Sequence, residues 1–134
     1  MVPLRKFDAG AVIPDDLLKV ALKEKIRTAT LEAVGGVEGL TLGYYNRRTK
    51  KYEEHSYRGF MEVTSLLGNI TEKDGRPFLH AHGTFGKRDM TVIGGHVIRA
   101  TVFPTLEFRL TPTTNRGLRR FDEETGLNLI DRFL

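Results

Sequence analysis

The segment Phe78-Leu79-His80-Ala81-His82-Gly83-Thr84-Phe85 alternates between two kinds of side chain. From Leu79 onward, every second residue is apolar or glycine, and the positions between them carry histidine, histidine and threonine. Side chains of a β-strand point alternately to opposite faces of the sheet, so this pattern predicts a strand with one buried face. The other face of the same strand presents His80 and His82 side by side.

The chain on either side of this strand is also predicted to be mainly β. Short runs rich in β-branched and aromatic residues are separated by glycine pairs, Asp-Gly and proline, which favour turns. Further strands are predicted over residues 28–34, 40–45, 52–57, 61–67, 91–93, 97–103 and 106–111. We expect successive antiparallel strands, with Pro104 as an interruption. The tail beyond Thr113 is polar and turn-rich, and its last apolar residues are expected to dock against an apolar surface.

One helix is predicted near the N-terminus, over residues 14–25. Pro14 suits the first helical turn and is followed by two aspartates, whose charge favours a helix N-terminus. Apolar pairs four residues apart predict one buried stripe: Leu17 with Ala21 and Leu18 with Leu22. The expected fold class is therefore α/β (α+β), a mainly antiparallel sheet with one main N-terminal helix packed on it.

Length and composition exclude several classes of protein. The 134 residues, 40% of them hydrophobic, are about enough for a single domain, 1–134. Cysteine is absent, so disulfides, thiolate metal ligands and a cysteine nucleophile are excluded. No apolar run approaches the roughly 20 residues of a membrane span. The first seven residues lack the apolar core of a secretory signal, and we expect a cytoplasmic protein.

The net charge is +4, and three clusters of basic residues stand out. They are Lys23, Lys25 and Arg27; Arg47, Arg48, Lys50 and Lys51; and Arg116, Arg119 and Arg120. A positive surface attracts polyanions, and the second cluster, in a predicted hairpin turn, is the candidate for nucleic-acid contact. The alternative is an ordinary solvated turn, because charged residues are common at hairpin tips.

The histidines suggest a metal site. His96 follows Gly94-Gly95 in the next predicted strand, so three of the four histidines lie close together in the sequence. Three imidazoles around one ion leave a coordination position for water or a ligand oxygen. Zinc is the leading candidate, and copper or nickel also bind such nitrogen donors. Glu62 and Glu107 are candidate partners of the ligand imidazoles. The alternative is that the three are ordinary strand residues.

The order of several motifs resembles the PPC family, the plants and prokaryotes conserved domain. The resemblance is carried by Gly59-Phe60-Met61-Glu62-Val63-Thr64-Ser65-Leu66-Leu67-Gly68-Asn69-Ile70, then by Asp74-Gly75, His80-Ala81-His82 and Gly94-Gly95-His96. It implies an α/β fold with a mainly antiparallel sheet, a homotrimer, and the stand-alone prokaryotic or archaeal version of the domain.

Plant members add a basic AT-hook, which this chain lacks. Asp74-Gly75-Arg76-Pro77 has some of the same letters but is predicted to be a turn.

Three functions are compatible with these observations. The favoured one is a metal-binding homotrimer with a regulatory or ligand-binding role, in which zinc is held by His80, His82 and His96. A hydrolase or lyase acting on a small molecule would use the metal with Glu62 as general base. A DNA-binding protein would use Arg47, Arg48, Lys50 and Lys51. No serine elbow, phosphate loop or His-Glu-x-x-His motif accompanies these residues.

Overall fold

The computed structural model describes residues 1–134 as eight strands and one helix. In chain order these are β1 (Arg5–Asp8), β2 (Val12–Ile13), α1 (Asp15–Lys23), β3 (Ala29–Asn46), β4 (Lys51–Lys73), β5 (Arg76–Gly86), β6 (Val92–Pro112), β7 (Gly117–Asp122) and β8 (Leu127–Phe133). The prediction of a mainly antiparallel sheet with one helix is confirmed. The helix has nine residues, and no helix of the structure is long and apolar enough to cross a membrane.

The four longest strands form a closed ring. β3 pairs with both β4 and β6, and β5 pairs with the other sides of β4 and β6. Residues such as Val37, Ala81, Phe85 and Leu106 fill the interior and are almost inaccessible to solvent. Burial of this apolar surface is the main favourable contribution to folding. The ring places the opposite face of β5, with His80 and His82, outside the core.

Helix α1 begins immediately after Pro14 and packs against β2 and β5. Leu17 and Ala21 are buried, as the helical spacing predicts. The second predicted pair, Leu18 and Leu22, is not buried in the same way, because Leu22 is 64% exposed. The buried stripe is therefore narrower than predicted, and the helix covers only part of the sheet.

The predicted strands on either side of Gly35-Gly36, Gly59 and Pro104 are in fact continuous. These breaks are register shifts within β3, β4 and β6, where one strand has extra residues and bends without ending. At Pro104 the register steps from Gly35↔Leu106 to Val37↔Val102, so residues 103–105 lie outside the ladder with β3. The missing N–H of proline therefore removes no hydrogen bond between these two strands.

The sequence predicts no strands in the polar C-terminal tail, but the tail forms the β7–β8 hairpin. β7 pairs with β4 in parallel at Glu72↔Leu118 and Lys73↔Arg119, an exception to the predicted antiparallel succession. Arg116 donates hydrogen bonds to the Glu72 carboxylate at 2.9 and 3.2 Å, which attaches the hairpin to β4. The tail thus adds a layer beside the outer face of β5.

Gly68 permits the close approach of β4 and β5. It lies opposite Ala81. A Cβ atom on Gly68 would overlap the carbonyl oxygen of His80 and lie 2.9 Å from Cα of Ala81. Because these are backbone atoms of a paired strand, they cannot move aside without displacing β5 at the histidines.

We predict that Gly68→Ala lowers the free energy of unfolding by roughly 1–3 kcal/mol, the usual cost of overpacking. Gly86→Ala is the matched control, since the nearest atom to its new methyl would be a side-chain methyl of Thr64 at 3.3 Å, and the nearest backbone atom would be 4.0 Å away. Urea denaturation of the two variants measures the difference. An equal loss in both variants would contradict the close approach at Gly68.

Candidate metal centre

His80 and His82 lie on the outer face of β5, as the alternation predicts, while Ala81 between them is buried. Their Nε2 atoms are 3.2 Å apart, and their rings are nearly perpendicular at 86°. The two imidazoles therefore point their nitrogens to the same place. This orientation follows from the strand, because residues two apart share a face.

His96 joins them from β6. The antiparallel register pairs it directly with His82, and Gly43 of β3 lies on its other side. The ring centroid of His96 is 5.5 Å from those of both His80 and His82. One nitrogen from each of the three histidines falls within 4.8 Å of the others. The structure thus brings together the three histidines that the sequence singles out.

The surroundings of His96 favour its neutral form. Its ring stacks on Tyr52 at a centroid distance of 4.3 Å, and its Nδ1 atom is buried without a hydrogen-bond partner. Burial, with smaller contributions from the charges of His80 and His82, lowers the pKa of His96 to about 4. Burial, followed by the effects of His82 and Arg119, also lowers the pKa of His80. At neutral pH both imidazoles are therefore unprotonated.

These residues fit a divalent transition metal. Neutral imidazole is a common zinc ligand, and the set of three nitrogens leaves one tetrahedral position free. A buried ring nitrogen without a partner, as at Nδ1 of His96, is costly unless something binds it. A metal ion bound at this nitrogen would supply the missing partner.

The histidines form one wall of a pocket of about 1030 Å³. The other walls come from the end of β3, the β3–β4 turn, β4 and the β7–β8 hairpin. Four cationic side chains line it: Arg47, Lys50, Lys51 and Arg119. Glu54 is its single acidic residue. The pocket is therefore positively charged beside the three imidazoles.

The carboxylates suggested by the sequence lie elsewhere. Glu62 is exposed and pairs with Gly86, four residues along β5 from His82, and Glu107 pairs with Val34 at another part of the sheet. Neither lines the histidine pocket. His55 is exposed, pairs with Leu42 and lies outside the histidine cluster.

The basic turn and the histidines, treated as separate features in the sequence, are neighbours in space. The side chain of Asn46 accepts hydrogen bonds from the backbone N–H groups of Arg48 and Thr49, which shapes the turn. Arg47 and the lysines after it face the histidine pocket, whereas Arg48 does not line it. The sequence carries no signal for this proximity.

Arg119 is the residue of the pocket that sequence reasoning missed. The sequence shows it only as one of three arginines in a tail without predicted strands. In the structure it is partly buried in β7 and lines the same pocket as the histidines. An alternation of apolar and polar residues over 117–122 would have predicted this strand and the direction of Arg119. The stretch is too short and too polar to show such an alternation.

Comparison with solved structures identifies three close relatives in fold. A metal-containing protein of Archaeoglobus fulgidus is 33% identical, has a TM-score of 0.90, and the match covers 98% of this chain and 94% of that chain. A plant- and prokaryote-conserved protein of Pyrococcus horikoshii is 29% identical, with a TM-score of 0.91 and coverages of 98% and 92%. A candidate DNA-binding protein of Bacteroides thetaiotaomicron is 27% identical, with a TM-score of 0.91 and coverages of 96% and 90%.

No curated protein matches this chain. The model of the Plants and Prokaryotes Conserved (PCC) domain, however, matches residues 4–114, which include the helix, the ring of strands and all three histidines of the cluster. The resemblance seen in the sequence motifs is thus confirmed. The chain belongs to the Plants and Prokaryotes Conserved domain family.

Proposed function

We propose that this protein is a metal-binding module that holds zinc through His80, His82 and His96 and acts as a homotrimeric regulatory or ligand-binding protein. The observation that carries the proposal is the convergence of three imidazoles, one with a buried and unpartnered ring nitrogen. Histidines that serve no common purpose would not be expected to direct their ring nitrogens to one point. Binding of a single metal ion accounts for this arrangement, because the ion contacts all three nitrogens at once.

Zinc suits this donor set best. Zinc accepts three neutral nitrogen ligands in a tetrahedral arrangement, and oxygen-seeking ions such as magnesium do not favour imidazole. The metal-containing relative from Archaeoglobus fulgidus supports a metal in this family. When bound, the ion would offer its free coordination position to an oxygen of water or of a ligand. The pocket beside the histidines gives that ligand its space.

The homotrimer implied by the family resemblance is supported by an apolar patch on the histidine face of the sheet. We define the Leu67 patch as Val2, Leu4, Val34 and Leu67, which lie together on the surface. Leu4 is 73% exposed, Val34 50% and Leu67 58%. Exposed apolar groups gathered in this way are typical of interaction surfaces. Leu67 pairs with His82, so a second subunit here would also cover the site.

We predict about one zinc ion per chain in untagged protein purified without chelator, and near-complete loss of zinc in His82→Ala. His82 is exposed, so its truncation removes a ligand without opening the core. His55→Ala is the matched control, because His55 is an exposed histidine outside the cluster. Elemental analysis of the three proteins measures the metal content. No zinc in the wild type, even after zinc is added, would refute the site.

We also predict a solution mass of three times the 15.2 kDa chain. Val34→Asp should dissociate the assembly, because the interface would have to bury an unpaired carboxylate. Met90→Asp is the control, since Met90 is 87% exposed in a turn outside the Leu67 patch. Sedimentation equilibrium gives the masses. A monomeric wild type would contradict the homotrimer, and a trimeric Val34→Asp would exclude the Leu67 patch as its interface.

Binding of duplex DNA through Arg47, Arg48, Lys50 and Lys51 is the second candidate function. Its support is the exposure of this basic turn and the relatives from Bacteroides thetaiotaomicron and Ralstonia eutropha described as candidate DNA-binding proteins. Phosphate contacts of such side chains are independent of sequence and weaken with salt. The histidines would then be a separate site on the same protein.

If DNA is bound in this way, replacing both Arg47 and Arg48 by alanine should remove about two phosphate contacts. The slope of the logarithm of the binding constant against the logarithm of the salt concentration should then become shallower by about two. Replacing Lys87 and Arg88, two exposed basic residues of the β5–β6 turn, is the matched control. Fluorescence anisotropy with a labelled duplex at several salt concentrations measures the slopes. Equal slopes for both double variants would exclude the Arg47–Arg48 turn as the DNA contact.

A further inference from the structure

The three arginines near the C-terminus differ in what neutralises them. Arg116 makes two hydrogen bonds to the Glu72 carboxylate, and Arg120 lies 3.4 Å from a carboxylate oxygen of Asp131. Arg119 lies between them in the sequence and forms no ion pair, although it is more deeply buried than Arg120. A partly buried cation without a counter-charge is unfavourable unless an anion reaches it.

The Arg119 guanidinium is held rigidly by neutral groups. Its Nε donates a hydrogen bond to Oγ1 of Thr71 at 2.7 Å, Nη1 to the carbonyl of Asn128 at 2.8 Å, and Nη2 to Oδ1 of Asn69 at 3.0 Å. Its central carbon lies 5.0 Å from the ring centre of Phe78. Three of the five N–H groups of an arginine are thus used and two remain. The group is oriented in advance for a ligand that accepts from the remaining two.

The same contacts place Arg119 beside the histidines. Asn69, which accepts from Arg119, pairs across the sheet with His80, and Phe78 lies two residues before His80 on the same strand. Directly opposite residues of neighbouring strands have Cβ atoms about 4.5–5.5 Å apart. Arg119 and the three imidazoles therefore face one pocket from adjoining walls. A molecule of a few atoms is long enough to contact both.

The charge of the pocket is not balanced by the protein. Glu54, which is exposed, is its one carboxylate, against four cationic side chains. Burial also lowers the pKa of Arg119, which is the direction expected when a cation loses water without gaining a counter-ion. A bound divalent metal would add to the positive charge. The ligand that such a pocket favours is an anion.

We propose that Arg119 is the anion-binding residue of a ligand site whose ligand is a small organic acid, bound through a carboxylate or phosphate group. A guanidinium donates two parallel hydrogen bonds to either group, so the shared chemistry is an oxyanion. The role of the metal in holding the other end of the ligand rests on the proposed function. The anion contact at Arg119 does not, because it is made by the protein alone.

The pocket has room for a small organic molecule, and part of its wall is apolar. Its volume of about 1030 Å³ is slightly above the usual range for small-molecule sites, so a small organic acid fits within it. Tyr45, Leu127 and Leu129 contribute apolar surface on the side of the β7–β8 hairpin. The hydroxyl of Tyr45 donates to the carbonyl of Thr125 at 2.6 Å, which fixes this wall to the hairpin. An acid with a short apolar body would match these surfaces.

The test is calorimetric titration of the zinc-treated full chain with malonate and, separately, with inorganic phosphate at low salt. We expect at least one of them to bind, and Arg119→Gln to weaken that binding by tenfold or more. Arg120→Gln is the matched control and should change the affinity less than twofold, because its partner Asp131 is outside the pocket. Neutral malonamide should not bind. The stronger of the two anions identifies the oxyanion class.

Zinc content measured on the same samples separates the two proposals. If zinc is present and Arg119→Gln binds the anion as the wild type does, the assignment of Arg119 is overturned and the metal site stands. If no zinc is found but Arg119→Gln still loses the anion, the metal site fails and Arg119 stands. Absence of binding by either anion to the wild type overturns the assignment.

A second measurement covers the case in which Arg119→Gln does not fold, since this arginine joins β7 to β4. Wild-type protein is crystallised with the anion that binds more tightly. An anion oxygen within hydrogen-bond distance of the Arg119 guanidinium supports the assignment. An anion elsewhere on the chain, or none, overturns it.

Discussion

The pairing of β5 with β6 is the interaction on which the rest of the structure depends. It closes the ring that β3 and β4 leave open, and it also places His96 directly opposite His82. The core and the candidate metal centre therefore have one origin, because the inner faces of these strands enclose the apolar residues and the outer face of β5 carries the imidazoles. Close backbone approach at Gly68 belongs to the same arrangement, since β5 must also remain in register with β4.

The C-terminal hairpin has a different role, which is to build the pocket over this outer face. It is attached to β4 by polar contacts, among them the Arg116–Glu72 ion pair and the hydrogen bond from Arg119 to Thr71. These contacts bring a cation and apolar side chains to histidines that would otherwise lie on an open sheet. The pocket is thus made by residues in the middle of the PCC match together with residues of the hairpin beyond it, since Arg119 follows residue 114.

The sequence predicts well those features that depend on short spacing. Alternation around His80 and His82 places both on one face, and the helix at Leu17 and Ala21 follows from their separation of four residues. The same local rules fail at Gly35-Gly36 and Pro104. Glycine and proline in a sequence indicate the end of a strand, but a strand that is paired with its neighbours can continue on both sides of a bulge. They also fail in the tail, where a short polar strand has no strong period.

By itself, the sequence determined the mainly antiparallel sheet with one helix, the position of that helix, the family, and the common direction of His80 and His82. Only the tertiary structure decided that His96 completes the cluster, that Glu62 and Glu107 lie away from it, and that Arg119 faces it. The physical reason is the range of the interactions. Side-chain direction within a strand is set by the backbone of neighbouring residues, whereas the contact of Arg119 with Thr71 spans 48 residues and exists only after the strands have paired.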